Sequence, residues 1–339
     1  MRRPIRTIAT RSRVAGLLLA VGLATSACAG SSTTPVPTPS GPAAASALIS
    51  AGTGTPAPTT GASVSVSPVA SPSPTSAVPD FAHVYVIVME NKEYNRIVGS
   101  AAAPYENSLI ARYGSVTAMY GERHPSEPNY IALTSGGLQG TDSDGTYNLD
   151  VPNLFDQIEA GGRTWHVYAQ GYPGGCYKGS GANSVVDGPG AAGGYARKHN
   201  PAMSYTSISG DPARCANITG LSGFDPAAAD FEFIAPNQIN DMHSSSVAAG
   251  DAFLKVFVPT IVDSPAFANS VLFITWDEGD SNANGGGHIA TIVVSPGMPA
   301  GSTFTAQANH YSILRTIELA WGLPLLGQAA TAPTLDFQY

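Results

Sequence analysis

Two stretches, His83–Met89 (HVYVIVM) and Val271–Trp276 (VLFITW), are almost unbroken apolar runs rich in β-branched and aromatic side chains. A strand with one face in water alternates polar with apolar residues, so such runs belong inside a parallel sheet covered on both faces. Each run stops abruptly at acids, Glu90-Asn91-Lys92-Glu93 after the first and Asp277-Glu278-Gly279-Asp280 after the second. Open α/β sheets bind their ligands at the carboxyl ends of such strands. The sequence between them reads as further strands over 115–120, 164–169 and 230–234, and a third apolar strand follows over 289–294. Helical patterns cover 105–113, 151–160, 247–262 (disturbed at Pro259) and 311–321. Alternation of this kind predicts an α/β sandwich whose central sheet is mainly parallel and flanked by helices.

What precedes residue 80 does not fit that domain. Residues 1–28 have an arginine-rich start, the apolar run Val14–Ala24 and the small residues Thr25-Ser26-Ala27 before Cys28. The run is short for a membrane span and reads as an export signal, with Cys28 as a candidate lipidation site and ordinary secretion as the alternative. Residues 29–79 carry no charge and consist almost wholly of Ser, Thr, Pro, Ala, Gly and Val. They cannot bury enough apolar surface to offset their ordering entropy, and read as a disordered tether. That leaves 80–339 as one catalytic domain, placed outside the cytoplasm and attached to a membrane only through Cys28, if that residue is lipidated.

The whole chain holds 16 Lys+Arg against 24 Asp+Glu, and all five charges before residue 80 are arginines, so residues 80–339 keep 11 basic and 24 acidic residues. A domain with net charge −13 is a poor partner for nucleic acid. Recognition of phosphate has to be local, and the chain is expected to act as a monomer on a small-molecule or lipid phosphate ester. Apart from Cys28 there are two cysteines, Cys176 and Cys215. In an exported protein an even pair implies a disulfide, here pinning a glycine-rich excursion over 171–224.

Carboxylates crowded at one sheet edge repel one another unless a cation lies between them. Glu90, Asn91, Asp277 and Glu278, with Asp241, His243, His288 and His310 at other loop or strand edges, are therefore candidates to hold one or two divalent ions. His124-Pro125-Ser126-Glu127-Pro128-Asn129-Tyr130 puts a serine hydroxyl on a proline-stiffened turn ahead of a helix, whose first N–H groups could hold an anion. Beside a metal, Ser126 becomes a nucleophile, and displacement at phosphorus is the suited reaction. Asn129, Arg197, Lys198 and His199 are the available donors to phosphoryl oxygens.

These segments resemble the phosphoesterase family of acid phosphatases and phospholipases C, within the alkaline phosphatase-like superfamily. The likeness rests on Val88-Met89-Glu90-Asn91, the Ser126 turn, Tyr195–Pro201, Asn240-Asp241-Met242-His243, Thr275-Trp276-Asp277-Glu278 and His310-Tyr311-Ser312, over about residues 80–325. It is nearest to the secreted acid phosphatase branch, some of whose members act on phosphoinositides. The resemblance implies Ser126 as nucleophile and metal ligand, with Glu90, Asn91, Asp277 and Glu278 as metal ligands. It offers Asp241, His243, His288 and His310 as a second metal position or as the acid that protonates the leaving group. Asp277 is followed by Glu278 rather than His, so a single Ca²⁺ or Mg²⁺ fits as well as zinc. Two other readings keep the same fold: a phospholipase C-type phosphodiesterase, and a surface binding protein without turnover.

Overall fold

The computed structural model describes residues 78–182, 187 and 194–337. The expected export signal, the expected lipidation of Cys28 and nearly all of the expected tether lie outside the described residues. Val78, at the tether's end, is buried against the core.

The strands in chain order are β1 (His83–Met89), β2 (Gly114–Tyr120), β3 (Trp165–Ala169), β4 (Gly181–Ala182), β5 (Tyr195–Ala196), β6 (Ile218–Thr219), β7 (Phe231–Ala235), β8 (Ser270–Trp276), β9 (His288–Val294), β10 (Ser302–Phe304) and β11 (Ala308–Asn309). Among the described residues, nine of them form one sheet in the order β10-β2-β9-β8-β1-β7-β3-β6, with β11 also on β2. β4 and β5 make a separate antiparallel pair. The sheet is mainly parallel, as the apolar runs predict. β9 is the exception, antiparallel to both β8 and β2. Its connection from β8 is too short to carry the helix that a parallel crossover needs. The reversal brings the start of β9 to the same edge as the end of β8.

β1 and β8 are the innermost strands, and from Val84 to Met89 and from Ser270 to Trp276 they are buried on both faces. The sheet is covered by helices including Pro104–Arg112, Glu127–Ser135, Val247–Val262 and His310–Ala320. Pro259 lies within Val247–Val262 without ending it. The 171–224 excursion holds short helical turns rather than long elements, and Cys176 and Cys215 are bonded across it with Cα atoms 5.3 Å apart. Among the described residues no helix is long and apolar enough to cross a membrane.

Candidate active site

Register decides which acids meet. β1 and β8 pair Met89 with Trp276, so the next residues, Glu90 and Asp277, leave the sheet side by side. The Asp277 N–H donates to Met89 O at 3.0 Å and keeps the two strand ends together. Asn91 turns with φ 46°, donating its backbone N–H to Asp277 Oδ1 at 2.9 Å and its Nδ2 to Glu278 Oε1 at 2.6 Å. Asp241 closes the group, since its carbonyl accepts the Glu90 N–H at 2.8 Å. Four carboxylates from three segments thus converge on one edge, and all are buried.

The serine arrives from the turn after β2. The helix Glu127–Ser135 has Pro128 in its first turn, where a missing N–H costs nothing, and Ser126 immediately before it. Ser126 Oγ donates to Glu90 Oε2 at 3.0 Å, and one turn later the Tyr130 hydroxyl donates to Glu90 Oε1. Asn129 secures the turn from within: its Oδ1 accepts the Glu122 and Arg123 N–H groups, and its Nδ2 reaches Arg123 O at 2.7 Å. Further Nδ2 contacts go to Pro125 O and Ser126 O. Asn129 is therefore a brace for the backbone, not the donor to substrate oxygens that its position implies.

His199 stacks on Tyr130 with ring centroids 5.3 Å apart and lies between two acids. Its Nε2 is 3.1 Å from Glu90 Oε1, without good hydrogen-bond alignment, and its Nδ1 is 3.4 Å from Asp241 Oδ2. Burial alone would lower the imidazole's pKa, but Glu90 and Asp241 outweigh it and raise it, keeping the ring protonated. Burial likewise acts to raise Glu90, yet His199, Tyr130 and Lys198 hold it below the usual carboxylate range. Asp277 goes the other way: burial, then the charges of Glu90 and Glu278, push it well up. Asp277 Oδ2 and Asn91 Oδ1 are buried without a hydrogen-bond partner. Orphaned oxygens beside repelling carboxylates are what a divalent cation relieves, and Glu90, Asn91, Asp277 and Glu278 fit a hard, oxygen-seeking ion. Glu90, His199 and Asp241 also offer ligand atoms within 4.8 Å of one another. A cation there would neutralise the charges that raise His199 and compete for its ring proton, so this set and the oxygen set are alternative places for one ion.

The remaining candidates divide. Lys198 ion-pairs with Asp144 at 2.8 Å and is near enough to Glu90 and Asp277 to feel both charges. His243 has its ring 6.2 Å from that of His199 and bonds Ser244. Arg197 is buried, with Nη2 donating to Tyr147 O and Met203 O, so its contacts brace loops and are not with the strand-end acids. His288 stacks on Tyr94 and Tyr120, with Nε2 3.0 Å from Thr117 O. His310 is locked between the Glu122 carboxylate and Trp276 O, so both ring nitrogens are taken. The ring contacts of His288 and His310 are not with Glu90, Asp241, Asp277 or Glu278. The structure adds three residues instead: Tyr130 on Glu90, His124 with Nδ1 2.7 Å from Glu278 Oε2, and Asp144 on Lys198. His124 and Tyr130 lie inside the Ser126 turn motif, but no spacing rule marks what they touch.

The sequence pattern that defines the Phosphoesterase family matches residues 100–324. A phosphatidylinositol-3-phosphatase of Mycobacterium tuberculosis is 34% identical over 268 residues, covering 77% of this chain and 83% of the relative. A probable acid phosphatase of Kluyveromyces lactis is 27% identical over 73% of this chain, which spans 60% of that relative's length. Among solved structures, the lipoteichoic acid synthase LtaP of Listeria monocytogenes superposes with a TM-score of 0.52 at 9% identity, covering 76% of this chain and 77% of that one. That likeness concerns the fold alone.

Proposed function

The chain belongs to the phosphoesterase family and is a phosphomonoester hydrolase, and from that premise we propose that it works through a phosphoseryl intermediate formed on Ser126. The observation that carries the reading is the 3.0 Å hydrogen bond from Ser126 Oγ to Glu90 Oε2 inside the acid cluster. The bond orients the hydroxyl, and the Asn129-braced turn holds it against a stiff helix start, so little ordering remains to be done at the moment of attack. Lys198 and the protonated His199 supply positive charge for the equatorial phosphoryl oxygens. Buried His199 and exposed His243, with ring centroids 6.2 Å apart, are the groups able to give a proton to the leaving alcohol. A divalent cation held by Glu90, Asn91, Asp277 and Glu278 would contribute Lewis acidity at the serine and phosphoryl oxygens.

The test is Ser126→Ala assayed on an aryl phosphate. Activity should fall by about a thousandfold or more, with an unchanged melting temperature; a variant that still turns over ends the proposal. Chelation should abolish hydrolysis and lower the melting temperature, and Mg²⁺, Ca²⁺ or Zn²⁺ should be compared for restoring both. A metal-free protein equally active and equally stable would remove the cation from the mechanism. The substrate panel should include phosphatidylinositol 3-phosphate, named by the 34% relative, and a phosphorylcholine ester to test for diesterase activity. The Cys176–Cys215 bond supports a location outside the cytoplasm.

A further inference from the structure

The helix that follows Ser126 presents few donors at its start. Pro128 has no N–H, and the Asn129 N–H bonds Ser126 O, which leaves the Glu127 N–H. That group and the Lys198 ammonium are the kind of pair that binds an anionic oxygen edge. One side chain fills both: Asp144 Oδ1 accepts from Glu127 N at 3.1 Å, and Asp144 Oδ2 accepts from Lys198 Nζ at 2.8 Å. A carboxylate bridging two donors matches the O–P–O edge of a phosphoryl group in charge and span. Lys198, which Asp144 holds, is followed in the chain by His199, whose Nε2 lies 3.1 Å from Glu90 Oε1, so Asp144 borders the acid cluster.

Asp144 stands on the turn around 142–145, which is attached to Glu127 by the Gly145 N–H donating to Glu127 Oε2 at 2.7 Å. Glu127 is buried and held in turn by Ser204 Oγ at 3.1 Å. The turn is thus fastened beside the site while the Asp144 side chain stays 34% exposed, with water next to it.

Resting on the phosphatase reading above, we propose that Asp144 is a specificity-determining residue whose carboxylate occupies the seat of two phosphoryl oxygens and is displaced when a phosphate ester binds. The ester must outcompete an anion built into the protein. The displaced carboxylate stays nearby and repels a dianion more than a monoanion. Below the second phosphate pKa of about 6 the substrate is a monoanion, so Asp144 favours turnover at acidic pH.

The experiment is Asp144→Asn, with Asp144→Ser as a second variant and melting temperature as the check on folding. Near neutral pH the KM for an aryl phosphate and the inhibition constant of inorganic phosphate should both fall about tenfold, with kcat held and a smaller change at acidic pH. Adding Lys198→Ala should erase the gain, since the freed donor is then gone. Calorimetric binding of inorganic phosphate to Ser126→Ala, with and without Asp144→Asn, reads the same competition without turnover. It therefore judges Asp144 even if the serine proposal fails. A higher KM or lower kcat in the folded Asp144→Asn protein would make Asp144 a support for Lys198 and overturn the proposal. Unchanged KM and phosphate affinity would overturn it as well.

Discussion

At Asn129 every polar atom of the carboxamide faces main chain, with two N–H groups on Oδ1 and three carbonyls near Nδ2. Asn129→Asp would set a carboxylate oxygen against those carbonyls and take this donor from Arg123 O and Pro125 O, while Ser126 O keeps the Asn129 N–H. Removing a buried donor in this way costs about 1–3 kcal/mol. Urea denaturation of Asn129→Asp should show that loss, with activity falling because the Ser126 turn loosens. An Asn129→Asp protein as stable as its parent would mean the turn holds itself. Ser126, Glu90 and Asp277 were legible because each sits where a pattern breaks, at a proline-flanked turn or at the stop of an apolar run. Asp144 and the contacts of His124 and Tyr130 carry no such mark. His124 reaches Glu278 across 154 residues of sequence, and no local periodicity encodes a loop-to-loop contact of that span.

Among elements, the strand ends were readable but the direction of one strand was not. β9 has the same apolar content as β1 and β8, and composition does not distinguish a parallel interior strand from an antiparallel one. Its reversal sends the start of β9 to the edge that carries the acid cluster and brings the loop before it against Gly121. A Cβ on Gly121 would lie 2.8 Å from Asp277 O and 2.9 Å from Gly286 O, both backbone atoms that cannot rotate away. Gly121 also exchanges hydrogen bonds with that loop, donating to Gly287 O at 3.1 Å and accepting from Gly286 N at 3.0 Å. This contact fastens the turn that bears Ser126 to the loop that bears Asp277 and Glu278. Gly121→Ala should force the two apart, lowering stability by about 1–3 kcal/mol and kcat more than KM. Wild-type kcat in Gly121→Ala would show that the two loops need not be in contact for the acids and the serine to meet.

Across the whole molecule, several buried acids take no part in the site and fix how stability responds to pH. Glu106 lies beside Asp251, which accepts the Tyr105 and Glu106 N–H groups. Burial, and then the Asp251 charge, push the Glu106 carboxyl up to about 9. Burial raises Glu232 and Glu318 to about 8 each. In the unfolded chain these groups ionise near 4.5. Above that value the folded state holds protons that the unfolded state has released, so stability falls as pH rises, until the folded pKa is reached. His166 acts in the opposite direction: burial lowers it to about 4 from an unfolded 6.5, so stability falls as pH drops between those values. The two trends leave the fold most stable on the acidic side of neutrality, the range in which the Asp144 proposal expects the best turnover. A single group contributes at most about 1.4 kcal/mol per pH unit. Glu106→Gln removes one such contribution by mimicking the protonated acid. Its stability relative to wild type should therefore increase steadily from pH about 5 to about 8, measured by urea midpoints at matched ionic strength. A constant difference across that range would mean Glu106 ionises at its ordinary pKa, with water or a local opening reaching it between the two helices.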